Sequence, residues 1–332
     1  QVLIISEKVG NTLYFEDPLN HHYMVDRQAY ARKITPRVAA GISCVKIERM
    51  DATASQTSNI YIRGAINCLV QNVESVDCNF GHVEVNSSAH IQVQGSYFHH
   101  AHASGGGGQG YGVVFQESSS FNLAENNIFE HLRHSMLLQS GANGNVCGYN
   151  YSYDPYWVSG FLPSNSAGDA VLHGNYVFLN LFEGNTIQNI VVDASHGSNG
   201  PYNTFFRNRA ELYGFFSDSG TPTDSMNVVG NEITNSGFPL GMYSVNGAGH
   251  YTFGNNVNGT VNPANTTNVA TQTLYLDEST LPYFFQEMEL PMVGYPLGLN
   301  EKQLDAESRF ESQEYVNCTA EQVVTSATAL AE

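Results

Sequence analysis

The chain has 332 residues, of which 42% are hydrophobic and only 13% are charged. Its 31 acidic and 13 basic residues give a formal net charge of −18. This charge excludes a basic surface for nucleic acid, and it disfavours an acidic polysaccharide unless bound cations or a local arginine cluster reverse the field. No apolar run is long enough to span a bilayer, so we expect no membrane insertion.

The N-terminal residues 1–40 contain short strand-like runs around a Pro-bounded loop, and we interpret them as early, irregular coils of a repeating structure. Gln1 opens directly on "QVLIISE", which suggests a processing site or a longer precursor. The five cysteines are too few for a disulfide framework, although Cys44 and Cys68 could lie close together. Buried free thiols are the simplest interpretation.

A repeat of about 23 residues organises the middle of the chain. Each unit has a short apolar run, a turn at a small polar residue, and a second short run. The turn positions are Asn72, Ser96, Asn127, Asn150, Asn185, Asn208, Asn231 and Asn255. Two longer intervals contain insertions, "HASGGGGQGYG" (102–112) and "DPYWVSGFLPSNSAG" (154–168). The glycine-rich insertion lacks the helix and lysine of a nucleotide-binding loop, so a lid or a tight turn is favoured.

Short strands at this period, with no helical pattern between them, predict a right-handed parallel β-helix over residues 41–260. The recurring asparagine has a physical reason, because amides stacked roughly 4.8 Å apart can donate to one coil and accept from the next. The same residue tolerates a left-handed backbone. The all-β fold class is therefore predicted from the repeat alone.

Short strands, an asparagine ladder and long loops on one side resemble the pectate-lyase-like β-helix superfamily, over about two thirds of the chain. The resemblance implies a carbohydrate groove along one parallel sheet, walled by the long loops. It is a resemblance of fold, since proteins with this ladder have different chemistries. The lysine-and-arginine pair of pectate lyases and the paired aspartates of polygalacturonases are both absent.

Polar residues end one strand in every coil, each after an apolar pair. We expect them to form an outward-facing strand-end column, flanked at its middle by both insertions. The predicted members are Asn86, Gln116, Gln139, His173, Asp193, Ser217 and Asn246. His196 then lies on the loop that leaves Asp193, within "DASHGSNG". A shorter loop would instead bring His196 into the column.

The predicted catalytic residues are His173, Asp193 and His196. A histidine titrates near neutral pH, and a carboxylate on the next coil would hold its tautomer. Elimination needs a base and a cation beside a uronate, for which Arg133, Arg207 and Arg209 are available. Hydrolysis needs two carboxylates about 5–10 Å apart. Asp169, Asp193 and Asp218 are candidates for that pair. The alternative is that these polar residues only start turns.

The predicted substrate-binding residues are Gln116, Gln139, Arg133, Arg209 and Trp157, the last within an aromatic stretch that is suited to stacking on sugar rings. The histidines of "FHHAH" (98–102) and "FEHLRHSM" (129–136) predict a stacked wall of the groove, with a bound metal as the alternative. We assign no metal ligands and no cofactor from the sequence, and leave only Ca²⁺ open.

Residues 261–332 lose the repeat and are predicted to pack on or cap the last coils, with a short final helix. The leading hypothesis is a secreted protein, extracellular or periplasmic, that binds and cleaves a polysaccharide as a lyase or a glycoside hydrolase. One alternative is a structural or adhesive protein that assembles end to end through an uncapped first coil. Another is a glycan-binding protein without turnover.

Overall fold

The computed structural model describes residues 1–158, 167–266, 269–277, 281–285, 290, 293–296 and 303–318. Within them the chain winds as a β-helix with three strands in most coils. Residues 159–166 of the second insertion and 319–332 of the C-terminal segment, where a final helix was predicted, lie outside the described residues.

The strands of the first half of the chain are short. They are β1 (Ile5–Val9), β2 (Thr12–Phe15), β3 (Arg37–Val38), β4 (Gly41–Ser43), β5 (Lys46–Glu48), β6 (Ile60–Arg63), β7 (Ala65–Gln71), β8 (Glu74–Cys78), β9 (Gly81–Asn86), β10 (Ala89–Gln94), β11 (Tyr97–Ala101), β12 (Tyr111–Gln116), β13 (Leu123–Glu125), β14 (Ile128–Glu130), β15 (His134–Leu138), β16 (Val146–Gly148) and β17 (Tyr151–Tyr153). A 3-10 helix covers Val25–Arg27.

The second half continues the same pattern. Its strands are β18 (Gly168–Leu172), β19 (Leu181–Glu183), β20 (Thr186–Val192), β21 (Thr204–Phe206), β22 (Arg209–Ser217), β23 (Asn227–Val229), β24 (Glu232–Ile233), β25 (Met242–Ser244), β26 (Tyr251–Phe253), β27 (Asn255–Val257) and β28 (Thr260–Asn262). A 3-10 helix (Tyr283–Phe285) and the helix α1 (Asp305–Ser312) follow.

Three parallel ladders run along the molecule. The first joins β3, β7, β10, β13, β16, β19, β21, β23 and β26. The second runs from β5 through β8, β11, β14 and β17, and the third from β6 through β9, β12, β15 and β18. β20 and β22 are long enough to serve both of these ladders, so the second and third form one continuous sheet. The predicted right-handed parallel β-helix is confirmed.

The core is the column of side chains that point into the coils. Phe98 stacks near Phe129, and Phe182 stacks on Phe205 with ring centroids 5.2 Å apart. These rings are fully buried. Along the third ladder, inward residues such as Leu138 and Leu172 alternate with outward ones such as Leu137. The alternation is the period of a strand, and it turns every second side chain outward.

The asparagine ladder is confirmed from Ser96 to Asn255. Asn127 donates from Nδ2 to Oδ1 of Asn150 at 3.0 Å, and each later member repeats the contact with the next coil. Asn72 is not a member, because the backbone N–H of Val73 is the group that donates to Ser96. The left-handed backbone conformation belongs to the residue before each ladder position, as at Asn126 and Gly184, and not to the ladder residue itself.

A second asparagine ladder, which we did not predict, begins the strands of the first ladder. Asn122 donates to Asn145, which donates to Asn180, which donates to Asn203 in turn. Each of these four residues, Asn203 included, precedes a member of the predicted ladder by five residues, so Asn-x4-Asn recurs on four coils. That spacing is the signal that would have revealed it.

Residues 1–36 form an arm rather than early coils, and only the last residues of the predicted 1–40 segment, from Arg37, belong to the first ladder. β1 and β2 pair only as an antiparallel hairpin, and the parallel ladders begin at β3. The arm lies along the outside of later coils, where Val2 exchanges hydrogen bonds with Ser120 and Asp17 pairs with His90 at 2.8 Å. These contacts of the arm are therefore made with coils beyond the first.

The C-terminal segment runs back along the ladders and reaches further than the last coils. We call its described residues from 269 to 318 the C-terminal strap. Arg207 holds its start through the backbone oxygens of Val269, Thr271 and Pro296. Its end is tied to the first coils by a disulfide between Cys44 and Cys318.

The disulfide differs from the expectation that all five cysteines are free. The remaining cysteines, Cys68, Cys78 and Cys147, are buried thiols as expected. The sequence offered no means of pairing Cys44 with Cys318, because the two are 274 residues apart and meet only when the strap has folded back.

Candidate functional site

The strand-end column exists on the third ladder. Register and backbone hydrogen bonds align Gln116, Gln139, His173 and Asp193 on four successive coils. The prediction for the next coil is wrong by one residue. Ser217 pairs with the inward Val192 and is fully buried, so Asp218 continues the column instead.

A cleft with a volume of about 730 Å³ opens over this column. Its lining comes from the column, the glycine-rich insertion and the loop after β20. The lining residues are Gln56, Phe80, Glu84, Gly107, Gly108, Tyr111, Gln116, Glu117, Arg133, Gln139, Ser140, His173, Asn175, Ser195 and His196. The lining thus includes predicted catalytic residues His173 and His196, and predicted substrate-binding residues Gln116, Gln139 and Arg133. Asp193 lies directly behind His173.

His173 and Asp193 form a hydrogen-bonded pair at the cleft. Nδ1 of His173 lies 2.8 Å from Oδ2 of Asp193, and the two side chains are 7% and 13% exposed. Burial raises the pKa of a carboxyl, but the hydrogen bond and charge of His173 outweigh it and hold the pKa of Asp193 below its usual value. Asp193 is thus a carboxylate that can only accept, so Nδ1 of His173 is the donor in either charge state, and in the neutral ring the lone pair lies on Nε2.

The loop after Asp193 is fixed by Asn199. Its Nδ2 donates to the backbone oxygen of Asp193 and to Thr223, and its Oδ1 accepts from the backbone N–H of Gly174. Gly174 has φ +87°, and a Cβ there would lie 2.4 Å from the carbonyl oxygen of Gly197. The stretch "DASHGSNG" is therefore both a corner of the scaffold and a wall of the cleft.

His196 stands on that wall, exposed to solvent. Its ring lies edge to face with that of His173, with centroids 4.9 Å apart. Burial and the nearby charge of His173 lower the pKa of His196. On the other side of His173 lies His134, with ring centroids 5.6 Å apart, and burial lowers its pKa well below the usual value. Two neutral imidazoles thus flank His173 at neutral pH.

Arg133 is the cation of the cleft. It is 8% exposed, and Nη1 donates to the backbone oxygen of Gly105 at 2.7 Å. The guanidinium carbon lies 4.5 Å from the ring centroid of Trp157 and 5.7 Å from that of Tyr111. Aromatic faces hold a guanidinium without neutralising it, so the charge remains available to an anionic ligand.

A chain of side-chain hydrogen bonds continues the cleft along the column. Gln139 donates to Oε1 of Gln116, and Gln116 donates to Oε1 of Glu84 at 2.6 Å. The other carboxylate oxygen of Glu84 accepts from Ser58 at 2.8 Å. This chain fixes the orientation of both amides, which offers a row of ordered donors and acceptors to a polar ligand.

Two predicted binding residues do not line the cleft. Arg209 begins β22 on the second ladder, where it pairs with Glu211 at 3.1 Å and with Glu232 at 3.8 Å. Trp157 is outside the lining, and its ring packs against the guanidinium of Arg133. Among the other candidates, Asp169 is fully buried and accepts hydrogen bonds from Ser135 and Ser152, so it is a structural carboxylate.

The predicted histidine wall is only half right. His100 and His131 stack as predicted, with centroids 5.0 Å apart, but they lie beside the second ladder and do not line the cleft. Conversely, the cleft contains residues that the sequence did not indicate, mainly Glu84 and Tyr111. Glu84 is the polar residue two before the column in "HVEVN", and this alternation is the signal that would have found it.

A family model described as right-handed beta helix region matches residues 38–181. Together with the parallel ladders, this match shows the right-handed parallel β-helix fold. The resemblance to other proteins of this kind is one of fold. No curated protein and no solved structure matches the chain. Among the described residues, no helix combines the length and the apolar character that a membrane crossing requires.

Proposed function

We propose that the cleft binds a uronic-acid-containing polysaccharide and cleaves it by β-elimination. The observation that carries the proposal is the pair of His173 and Asp193, because a histidine held by a carboxylate at the surface of a cleft is an oriented general base. The fold supports the substrate class only by analogy, since many functions share it. The chemistry of the lining therefore carries more of the argument.

The lining suits a chain of sugars. The amides of Gln116 and Gln139 offer directional hydrogen bonds to hydroxyl groups, and the imidazole of His196 extends the same surface. Arg133 supplies the positive charge that a uronate carboxylate needs. The net charge of −18 opposes such a ligand, but exposed charges more than about 8 Å away are largely screened at physiological salt, so the local guanidinium dominates.

The reaction would proceed with one acid/base group. Nε2 of His173 takes the proton α to the uronate carboxylate, and Arg133 stabilises the negative charge that develops on that carboxylate. The electrons form a carbon–carbon double bond as the bond to the β-oxygen breaks. The proton on His173 then passes to the departing oxygen, which restores the neutral imidazole. Asp193 stabilises the intermediate imidazolium, and no water is consumed.

Secretion is part of the proposal. The disulfide between Cys44 and Cys318 supports it, because disulfides persist in extracellular and periplasmic compartments and are rare in the cytosol.

The test is incubation of the purified protein with a panel of acidic and neutral polysaccharides, with and without Ca²⁺. The ultraviolet absorbance of a conjugated uronate and the concentration of reducing ends are followed together. We expect both to rise on at least one acidic polysaccharide. A rise in reducing ends alone would mean hydrolysis. Tight binding without either signal would mean a glycan-binding protein without turnover.

A second candidate is end-to-end assembly, which the apolar end of the first coil favours. An apolar groove of about 370 Å³ lies there, lined by residues that include Ile42, Ile60 and Ile62. All of the lining lies at or beyond Arg37, so the N-terminal arm contributes nothing to it. Light scattering on the purified protein distinguishes the candidates, because assembly predicts a particle mass that grows with concentration, whereas a monomeric enzyme stays constant.

A further inference from the structure

Two coils of the second ladder bring two histidines and a glutamate together outside the cleft. His99 on β11 is the register partner of Glu130 on β14, so their side chains leave the sheet on the same side. His100 follows directly. One ligand atom from each of His99, His100 and Glu130 lies within 4.8 Å of the others.

Neighbouring residues of a strand normally point to opposite faces, and His100 escapes this rule through its backbone. It has φ +60°, the left-handed conformation that the coils also adopt at Asp77 and His131. The turn carries its ring toward that of His99, and the two Nδ1 atoms lie 3.0 Å apart. Ligand atoms on a tetrahedral zinc ion are about 3.3 Å apart, given Zn–N bonds of about 2.0–2.1 Å.

The outer groups around this cluster have the arrangement that metal ligands need. Nε2 of His99 faces Oε1 of Glu74 at 3.4 Å, so a proton on Nε2 leaves the lone pair on Nδ1. The hydroxyl of Tyr97 donates to Oε2 of Glu130, and the ring of Tyr97 stacks on His99 with centroids 4.1 Å apart. A carboxylate behind a ligating histidine, and a hydrogen bond to a ligating carboxylate, fix both ligands in place.

We propose that His99, His100 and Glu130 bind a divalent transition-metal ion, with Zn²⁺ as the best fit. Two imidazole nitrogens and one carboxylate oxygen suit zinc and its neighbours, whereas Ca²⁺ takes oxygen ligands only. His100 is exposed, so a water molecule or an external ligand completes the coordination. Glu74, behind His99, also pairs with Lys46 at 2.6 Å, which leaves the charge of Glu130 to balance the ion.

This metal site is independent of the proposed reaction. None of its three ligands lines the cleft, and the steps assigned to His173 involve no metal. Among the residues that the structure describes, it is also the one cluster of histidine, cysteine and acidic side chains with this spacing. The proposal therefore predicts one tight metal ion per chain.

The test is calorimetric titration of the chelator-treated protein with Zn²⁺, alongside His100→Ala, Glu130→Gln and the control His102→Ala. His102 lies two residues from His100, and its Nε2 forms a hydrogen bond with the backbone oxygen of Arg49 at 2.8 Å. We expect one Zn²⁺ per chain for the parent and for His102→Ala, and loss of this binding in the other two. A Glu74→Gln variant should bind about 10–100-fold more weakly.

Co²⁺ provides a second readout, because its visible absorption reports coordination by nitrogen and oxygen ligands. Circular dichroism of each variant shows whether it has folded, and the exposed position of His100 makes His100→Ala a safe substitution. No stoichiometric binding to the parent, or equal binding by His100→Ala and Glu130→Gln, would overturn the proposal. Binding of Ca²⁺ with similar affinity would also contradict the assigned donor set.

Discussion

His173 and Asp193 occupy the same position on successive coils, 20 residues apart, and are joined by a hydrogen bond of 2.8 Å between Nδ1 and Oδ2. The carboxylate decides which ring nitrogen of His173 carries the proton. A change that keeps the size of Asp193 but removes its charge therefore tests the pair without disturbing the scaffold.

We expect Asp193→Asn to lower kcat by about 10²–10⁴-fold on a polysaccharide that the parent cleaves, with little change in KM. The amide can donate to Nδ1, which moves the proton of His173 to Nε2 and removes the base. Asp218→Asn is the matched control, because Asp218 holds the same column position one coil further on and, among the described contacts, accepts from the backbone N–H of Gly220 rather than from a histidine. A kcat for Asp193→Asn within a few-fold of the parent value would contradict the assignment.

Arg133 and Arg209 form a second matched pair, one inside and one outside the cleft. Arg133→Gln should raise KM for an acidic polysaccharide and also lower kcat, because its charge acts on both ground and transition states. Arg133→Lys should recover little, since an ammonium cannot stack between Trp157 and Tyr111 as a guanidinium does. Steady-state kinetics decide the matter. Equal losses in Arg133→Gln and Arg209→Gln would show that overall charge, rather than the site, matters.

The repeat and the strand-end column were predictable because both follow from short-range periodicity. A coil of about 23 residues and the alternation of inward and outward side chains suffice to align Gln139, His173 and Asp193. The error at Ser217 has the same origin. A polar residue fills an inward position there, its Oγ accepting from the backbone N–H of Asn246, so the pattern appears one residue too early.

Long-range features were not predictable in this way. The strap pairs residues more than 250 positions apart, as Cys44 and Cys318 show, and no local pattern encodes that contact. Arg209 was assigned to the cleft as one of the available cations, but the coil carries it onto another ladder. Residues that line the cleft from other coils, such as Tyr111, depend on the path of the glycine-rich insertion.

The asparagine ladder should contribute strongly to stability. Asn185→Ala removes the acceptor for the backbone and side-chain donors of Asn150, and it also removes the donor to Asn208. Each buried group that loses its partner costs about 1–3 kcal/mol, so the free energy of unfolding should fall by at least that amount. Urea denaturation measures the loss. Asn11→Ala, at an exposed turn, should leave the midpoint unchanged, and an equal midpoint for both variants would argue against the ladder.

The disulfide predicts a simple count of thiols. Alkylation of the denatured protein without reductant should modify three cysteines, and all five after reduction. Mass spectrometry reads both numbers. Reduction should also lower the free energy of unfolding by about 2–4 kcal/mol, because the bond closes a long loop of the unfolded chain. Five modified cysteines before reduction would show that the strap is not covalently tied.

The strap also carries a pH dependence. Burial raises the pKa of Glu125 from an ordinary 4.5 to about 7, and the hydroxyl of Tyr275 on the strap donates to it at 2.5 Å. The folded state then binds a proton that the unfolded state has released, so stability falls as pH rises from about 4.5 through 7.

Glu125→Gln should remove this dependence of the free energy of unfolding on pH. The amide cannot ionise, and its oxygen still accepts from Tyr275. Denaturation of the parent and the variant across that pH range makes the comparison, in which the variant gains stability relative to the parent as pH rises. Parallel curves for the two proteins would contradict the raised pKa of Glu125.

The central claim is that His173 removes a proton from a uronate in the cleft and that no water enters the product. The most direct test is the mass spectrum of the oligosaccharides released by the parent, with His173→Gln and Arg209→Gln beside it. The account predicts that each cleavage by the parent and by Arg209→Gln gives one fragment lighter by one water than its hydrolysis counterpart, because its new non-reducing end is unsaturated, and that His173→Gln gives none. Products of full hydrolytic mass only, or undiminished cleavage by His173→Gln, would contradict it.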